Sequence, residues 1–240
     1  MKRQGPRLIN WVATMKIIEL EEVGSTNEYC KAADIGEDLC VFAKRQTAGK
    51  GTKGRSFISD GGGLYVSVMR HYENFSAEEA FKIMVNGCVA VCKTLEKFGI
   101  KPVIRWANDV LAGGRKICGT LIENTFSNGY ITRSIVGIGI NVNNEIAQEI
   151  KDIAVSMKEI AGKSLNFDKV KRLFIKNVQK EYKIDEYKSY IDWFGQTVTL
   201  KTADEEREVK AVDVTENGRL LVDWCGNMLE ISAAEVSLRL

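Results

Sequence analysis

One histidine and two prolines stand in a chain of 240 residues. With His71 the only imidazole, a Ser-His-Asp or Cys-His mechanism would rest on a single residue near a strand end, which counts against hydrolase chemistry. Six cysteines, at positions 30, 40, 88, 92, 118 and 225, include no C-x-x-C pair and no Cys/His cluster with zinc spacing, so they read as reduced thiols. No apolar run approaches the roughly 18 to 20 residues that cross a bilayer, and the opening Met1 to Arg7 lacks the apolar centre of a secretory signal. A cytoplasmic protein with no membrane partner is expected. A formal charge of +2 is too small to imply a nucleic-acid partner. Hydrophobic residues at 45% and charged residues at 28% are ordinary for a folded chain, long enough for one large domain or a medium and a small one.

Residues 1–15 carry no hydropathy period and include Gly5 and Pro6, so a loose leader is expected there and the fold is expected to begin at Lys16. Ile17 to Leu20 reads as a strand. Ser25-Thr-Asn-Glu28 then matches a capping box, with Ser25 as N-cap and Glu28 three residues on, opening a helix to about Ala33. Leu39 to Ala43 and Leu64 to Met69 are β-rich runs, and apolar residues from Phe81 to Leu95 space a long buried helix over Ala77 to Phe98, ended by Gly99. Lys116 to Phe126 and Ile131 to Val142 form a hairpin across Ser127-Asn-Gly129. Helical patterns follow over about Ala154 to Ala161 and Phe167 to Tyr190, giving one α+β domain over 16–192. After Trp193 come four short strands, Gln196 to Lys201, Val209 to Thr215, Arg219 to Trp224 and Met228 to Ile231, which predict a separate small β-barrel over 193–240.

The densest chemistry lies in Arg45-Gln-Thr-Ala-Gly-Lys-Gly-Thr-Lys-Gly-Arg55. Gly49, Gly51 and Gly54 let backbone amides approach a ligand, and Lys50, Lys53 and Arg55 can neutralise phosphate or carboxylate oxygens. The loop is neither a Walker loop nor a dinucleotide fingerprint, and by itself it suits an anionic ligand and a solvated linker equally. Other residues carry similar pairs of readings. Lys116 is a candidate cation or a surface lysine opening a strand; Asn108-Asp109 is a polar site or a turn; Ser25 binds a ligand or caps the helix; Gly119 and Gly139 admit a ligand or relieve packing. Trp106 reads as a core aromatic.

Taken together, Ser25-Thr26-Asn27, the Gly/Lys loop, Arg105-Trp-Ala-Asn-Asp109, Lys116-Ile-Cys-Gly-Thr-Leu-Ile-Glu123 and Gly137-Ile-Gly-Ile-Asn141 make five landmarks in one order. This order resembles the biotin protein ligases, whose motifs run S-T-N, G-R-G-R-x-G-R, K-W-P-N-D, K-x-x-G-x-L-x-E and G-x-G-x-N. The C-terminal barrel, ending in Ala234-Glu-Val-Ser-Leu238, resembles that family's SH3-like cap, so the likeness covers about residues 16–240.

The resemblance implies a mixed-sheet catalytic domain that uses ATP and magnesium to join biotin to AMP. Biotin then passes from biotinyl-5′-AMP to a lysine of a biotin carboxyl carrier protein or domain of a biotin-dependent carboxylase. Carried over by motif, Lys116 leads the chemistry with Arg55 and Asp109. Thr26 and Gln46 hold the ureido ring, and Ser25, Asn27, Gly49, Lys50, Lys116, Gly119 and Gly139 complete the biotin set. Lys53, Arg55, Asn108, Lys116 and Asn141 form the ATP set, and Asp109 reaches magnesium through water. The sequence departs from the family pattern at Thr52, Ala107 and Phe57, where Arg, Pro and Trp are usual. A lipoate-protein ligase is the alternative, and the short leader counts against a DNA-binding repressor. Monomer and homodimer both stay open.

Overall fold

The computed structural model describes residues 15–33, 36–201, 205–233 and 237–239. Of the expected leader, residues 1–14 lie outside the described residues, as do 234–236 of the C-terminal run. Met15, by contrast, is buried against the core.

A seven-stranded mixed sheet is built from β1 (Lys16–Val23), β2 (Leu39–Gln46), β3 (Leu64–Ser76), β4 (Val103–Arg105), β5 (Asp109–Ala112), β6 (Arg115–Ser127) and β7 (Tyr130–Ile140), in the order β1-β2-β3-β7-β6-β5-β4. Only β1 and β2 pair in parallel, and α1 (Thr26–Ala32) makes their crossover. The helix α2 (Phe81–Glu96) buries nearly all of its length, including Val85, Cys88, Val89, Cys92 and Leu95, as its apolar spacing requires. It packs on the sheet face that carries Thr120, Val136 and Ile138. The opposite face carries α1, whose Cys30 joins Leu39, Val41, Met69 and Ile135 in a smaller cluster. That helix covers only part of the face. The remainder, toward the C-terminal end of β7, becomes the site.

The β6–β7 hairpin forms as expected, with Asn128 (φ 50°) and Gly129 (φ 79°) both left-handed, the conformation a two-residue turn demands. Other elements differ from the sequence reading. The helix expected from Ala77 opens as a 3-10 turn over Ala77–Glu79, because the Ser76 hydroxyl takes the Glu78 N–H and α2 proper begins at Phe81. The helix expected from Ala154 begins only at α3 (Met157–Ala161), since Ala154 bridges Lys116 and the Val155 N–H bonds the Lys116 carbonyl. The single helix expected over Phe167 to Tyr190 is two, α4 (Phe167–Val178) and α5 (Ile184–Lys188). Between them the Tyr182 N–H is captured by the buried Asn86 side chain at 2.8 Å.

The second sheet holds β8 (Thr197–Lys201), β9 (Glu206–Val214), β10 (Leu220–Trp224) and β11 (Asn227–Ile231), with β12 (Ser237–Arg239) returning to pair with β8. Its attachment is polar as well as apolar. The Trp106 indole donates to the Gly218 carbonyl at 3.0 Å, the Trp193 indole to the Ile104 carbonyl at 2.8 Å, and Lys188 pairs with Asp213 at 2.9 Å. The buried Tyr187 hydroxyl donates to the Ala107 carbonyl at 2.8 Å, pinning the β4–β5 turn. Tyr187→Phe leaves that carbonyl only the weak Cys88 thiol contact at 3.9 Å and is expected to cost about 1 to 2 kcal/mol in urea denaturation. An unchanged midpoint would show that the turn does not depend on this bond.

Candidate active site

The site begins with strand register. Gly139 of β7 pairs with Tyr65 of β3 on one side and with Gly119 of β6 on the other, and Gly119 pairs with Asp109 of β5. Two residues along, Gly137 lies between Ser67 and Leu121. Side chains of alternate residues share a sheet face, so three glycines leave a floor without Cβ atoms at the centre of a packed sheet. Above it opens a solvent-connected cleft. The Phe57 ring rests on this floor, where a Cβ on Gly139 would come within 2.5 Å of its edge. Tyr65 braces Phe57 edge-on at 6.4 Å.

One wall is a chain of buried polar groups. Gln46 Oε1 accepts the Thr26 N–H at 2.8 Å, and its Nε2 donates to Ser59 Oγ at 2.8 Å. Thr26 Oγ1 lies 3.0 Å from Gln46 Oε1 and 2.7 Å from Ser67 Oγ. Ser67 donates to Asn27 Oδ1 at 2.5 Å, and Asn27 Nδ2 donates to Glu123 Oε2 at 2.7 Å. Asn27 is only 3% exposed, and Gly137 must be glycine because its Cβ would overlap the Asn27 amide. Both ends of Asn27 are thus spent inside the protein. Ser25 also lines the cleft and takes the N-cap backbone conformation, yet makes no side-chain capping bond.

The other wall is ionic. Lys116, at the start of β6, folds back over Gly119, with its Nζ 2.5 Å from Asp109 Oδ1. Asp109 Oδ2 takes the Arg105 guanidinium at 2.7 Å. Of these three only Lys116 lines the cleft, so the group presents its ammonium there. Asn108 lines the cleft as well and spends its Nδ2 on the Thr120 carbonyl at 2.8 Å.

The Gly/Lys loop closes the mouth. Gly49 is buried against Phe57 and Ser59, where a Cβ would clash, and its carbonyl accepts the Phe57 N–H at 2.8 Å. Lys50, Gly51 and Thr52 line the cleft, and Lys53 sits left-handed at φ 56°. Lys53 and Arg55 are exposed, and Arg55 Nε turns back to the Thr52 carbonyl at 3.4 Å. Asn141 lies off the cleft: its side chain bonds the Val155 carbonyl and Asn144. Ser67, Ser59, Phe57, Gly137 and Glu123 belong to the site without having been singled out as site residues. Ser67 did carry a signal, a hydroxyl in the middle of the apolar run from Leu64 to Met69.

Glu28, expected to complete a capping box, instead takes Lys50 at 2.7 Å and Lys31 at 2.9 Å. These cations, Lys50 foremost, hold its carboxyl down to about 2, below the ordinary glutamate range. A depressed carboxylate gives a tether that is complete at neutral pH and is lost as pH falls toward 2. Glu28 is 45% exposed at its side chain, so salt screens the pair. Glu28→Gln is expected to raise amide exchange across 47–57 by about two- to fivefold at neutral pH, the scale of one surface ion pair. Equal exchange in the two proteins would mean that the loop is held by Gly49 and Phe57 alone.

Residues 20–141 match the biotin/lipoate A/B protein ligase family, and residues 194–239 match the biotin protein ligase C-terminal domain. The chain belongs to the biotin/lipoate A/B protein ligase family and carries the C-terminal domain of its biotin protein ligases. Among solved structures, it is similar to the biotin protein ligase from Aquifex aeolicus in complex with biotin and ATP, with a TM-score of 0.78 and 33% identity over 93% of this chain and 98% of that one. It is also 28% identical to the bifunctional ligase/repressor BirA of Bacillus subtilis, over 84% of this chain and 66% of that protein, just under two thirds of its length. With the Escherichia coli protein of the same name the identity is 27%, over 92% of this chain and 73% of the other.

Proposed function

We propose that this chain is an ATP-dependent biotin protein ligase. Residues 16–192 form the catalytic unit and 193–240 a cap braced against the β4–β5 turn. The observation that carries the reading is the placing of the Lys116 ammonium over the Gly119–Gly139 floor, facing the Thr26–Gln46 wall across one cleft. Such a wall can hold a ureido ring, and a flat ring system lies over the glycine floor where the Phe57 ring now rests once that ring moves aside, with its acid chain directed at Lys116.

In the first half-reaction a biotin carboxylate oxygen bonds the α-phosphorus of ATP while the bond to pyrophosphate breaks, giving biotinyl-5′-AMP. Two anions approach, and Lys116, held by Asp109, is the fixed cation between them. Lys50 and the exposed Lys53 and Arg55 supply counter-charge on a loop that can close over the product and exclude water. In the second half-reaction a lysine amine of a biotin carboxyl carrier domain attacks the acyl carbon, and AMP leaves.

The side chains present do not fit a protein-held magnesium. Asp109, the expected contact, has both oxygens on cations, and among the described residues no three His, Cys, Asp or Glu side chains cluster. Among the described residues no helix is long and apolar enough to cross a membrane.

ATP–pyrophosphate exchange tests the reading. Biotin is expected to drive exchange and lipoate not, and Lys116→Ala to slow adenylate formation about a hundredfold or more while biotin still binds. Exchange driven by lipoate, or a Lys116→Ala rate equal to wild type, would contradict the assignment.

A further inference from the structure

Resting on the biotin ligase reading, we propose that Phe57 is an internal occupant of the site: its ring rests where the ring system of biotin has to lie, and it thereby sets the rate at which biotin is captured. The argument is steric. A Cβ on Gly139 would stand 2.5, 2.7 and 3.2 Å from Cε1, Cζ and Cδ1 of the ring, and one on Gly119 would stand 3.4 Å from Cε2. The ring thus spans the floor of both strands. Lys116 Nζ stands 3.0 Å from the same point above Gly119, so the ring edge and the ammonium meet over one glycine. Carbon atoms in contact keep about 3.5 to 4 Å apart, and a flat ligand set on this floor with its acid chain at Lys116 would overlap the phenyl ring. The two exclude each other.

The backbone of Phe57 is pinned on both sides, because its N–H donates to the Gly49 carbonyl at 2.8 Å and its carbonyl accepts the hydroxyl of the buried Ser59 at 3.0 Å. The ring itself is held less firmly. It is half-buried, its aromatic neighbour is Tyr65 edge-on at 6.4 Å, and residues 53–56 and 58 around it are exposed. Expulsion is therefore a rotation of the side chain toward the mouth, with the backbone bonds kept. Rotations of this kind are faster than capture of a ligand, so they add no separate kinetic phase and instead scale the capture rate by the fraction of time the ring is off the floor. A residue that only walls a bound ligand acts in the opposite limb: its contacts exist in the complex alone, and their loss speeds escape.

The test is the association and dissociation rate constants of biotin, by stopped flow, for wild type, Phe57→Ala and Phe57→Leu. Fluorine NMR of wild type labelled with para-fluorophenylalanine accompanies it, the Phe57 signal being the one lost in Phe57→Leu. Phe57→Ala is expected to raise the association rate constant about three- to thirtyfold, the reciprocal of a ring-free fraction of roughly 3 to 30%. Phe57→Leu, smaller than phenylalanine but still apolar, is expected to fall between, and the Phe57 signal of wild type is expected to move as biotin binds. An association rate constant that is unchanged or lower in the variants, with the whole effect in dissociation, would make Phe57 a wall of the pocket and overturn the proposal. A Phe57 signal indifferent to bound biotin would overturn it as well, whether or not the variants fold. Biotin binding to neither wild type nor Phe57→Ala would sink the ligase reading itself, and the occupant with it.

Discussion

The structure depends on a sheet that is bare at its centre. Gly119, Gly137 and Gly139 lie on two neighbouring strands, where glycine costs backbone entropy and contributes no packing. The flanking strands offset that cost. On the opposite face α2 buries a continuous apolar surface, while β3 and β7 share a long antiparallel ladder. Rigidity comes from one side of the sheet and space from the other. Every group in the cleft takes its position from that floor: Asn27 fits because Gly137 lacks a Cβ, Lys116 folds back over Gly119, and Phe57 rests on Gly139.

Around the floor, the two walls differ in kind. The Thr26–Gln46–Ser67–Asn27 wall is neutral and, the half-buried Gln46 apart, buried, so its geometry is set by hydrogen-bond direction. The Lys116–Asp109–Arg105 wall is charged and half-buried, and its task is to hold one ammonium in place. Between them the glycine-rich loop is tied down by an exposed ion pair and a few backbone bonds, weak enough to release. A firm floor, a hydrogen-bonded wall, a fixed cation and a loosely held loop suit the proposed acyl-adenylate chemistry, which must exclude water.

Much of this was legible because local chemistry determined it. The β3, β6 and β7 runs alternate or stay apolar over many residues, the Asn128-Gly129 turn admits one hairpin, and five short motifs placed Thr26, Gln46, Lys50, Asn108, Lys116, Gly119 and Gly139 along one cleft. What was missed depends on partners distant in sequence. The strands β4 and β5 are three and four residues long and owe their existence to pairing with β6. The break between α4 and α5 is made by Asn86, far upstream, and Glu28 leaves its capping box because Lys50 arrives from the loop. Asn141 reads as a ligand group by motif but holds the Val155 segment, and Glu123 becomes part of the site only through Asn27.

The most direct measurement is biotin affinity of Gly139→Ala, taken together with its thermal midpoint. The added methyl would come within 2.5 Å of the Phe57 ring on the floor of the cleft, while alanine in a strand is tolerated by the backbone. If the glycine floor is what makes the site, the Phe57 ring displaced by the methyl intrudes on the cleft and affinity falls about ten- to a hundredfold, the midpoint reporting whether the variant stays folded. Wild-type affinity in Gly139→Ala would contradict the account, since the ligand would then not depend on the floor.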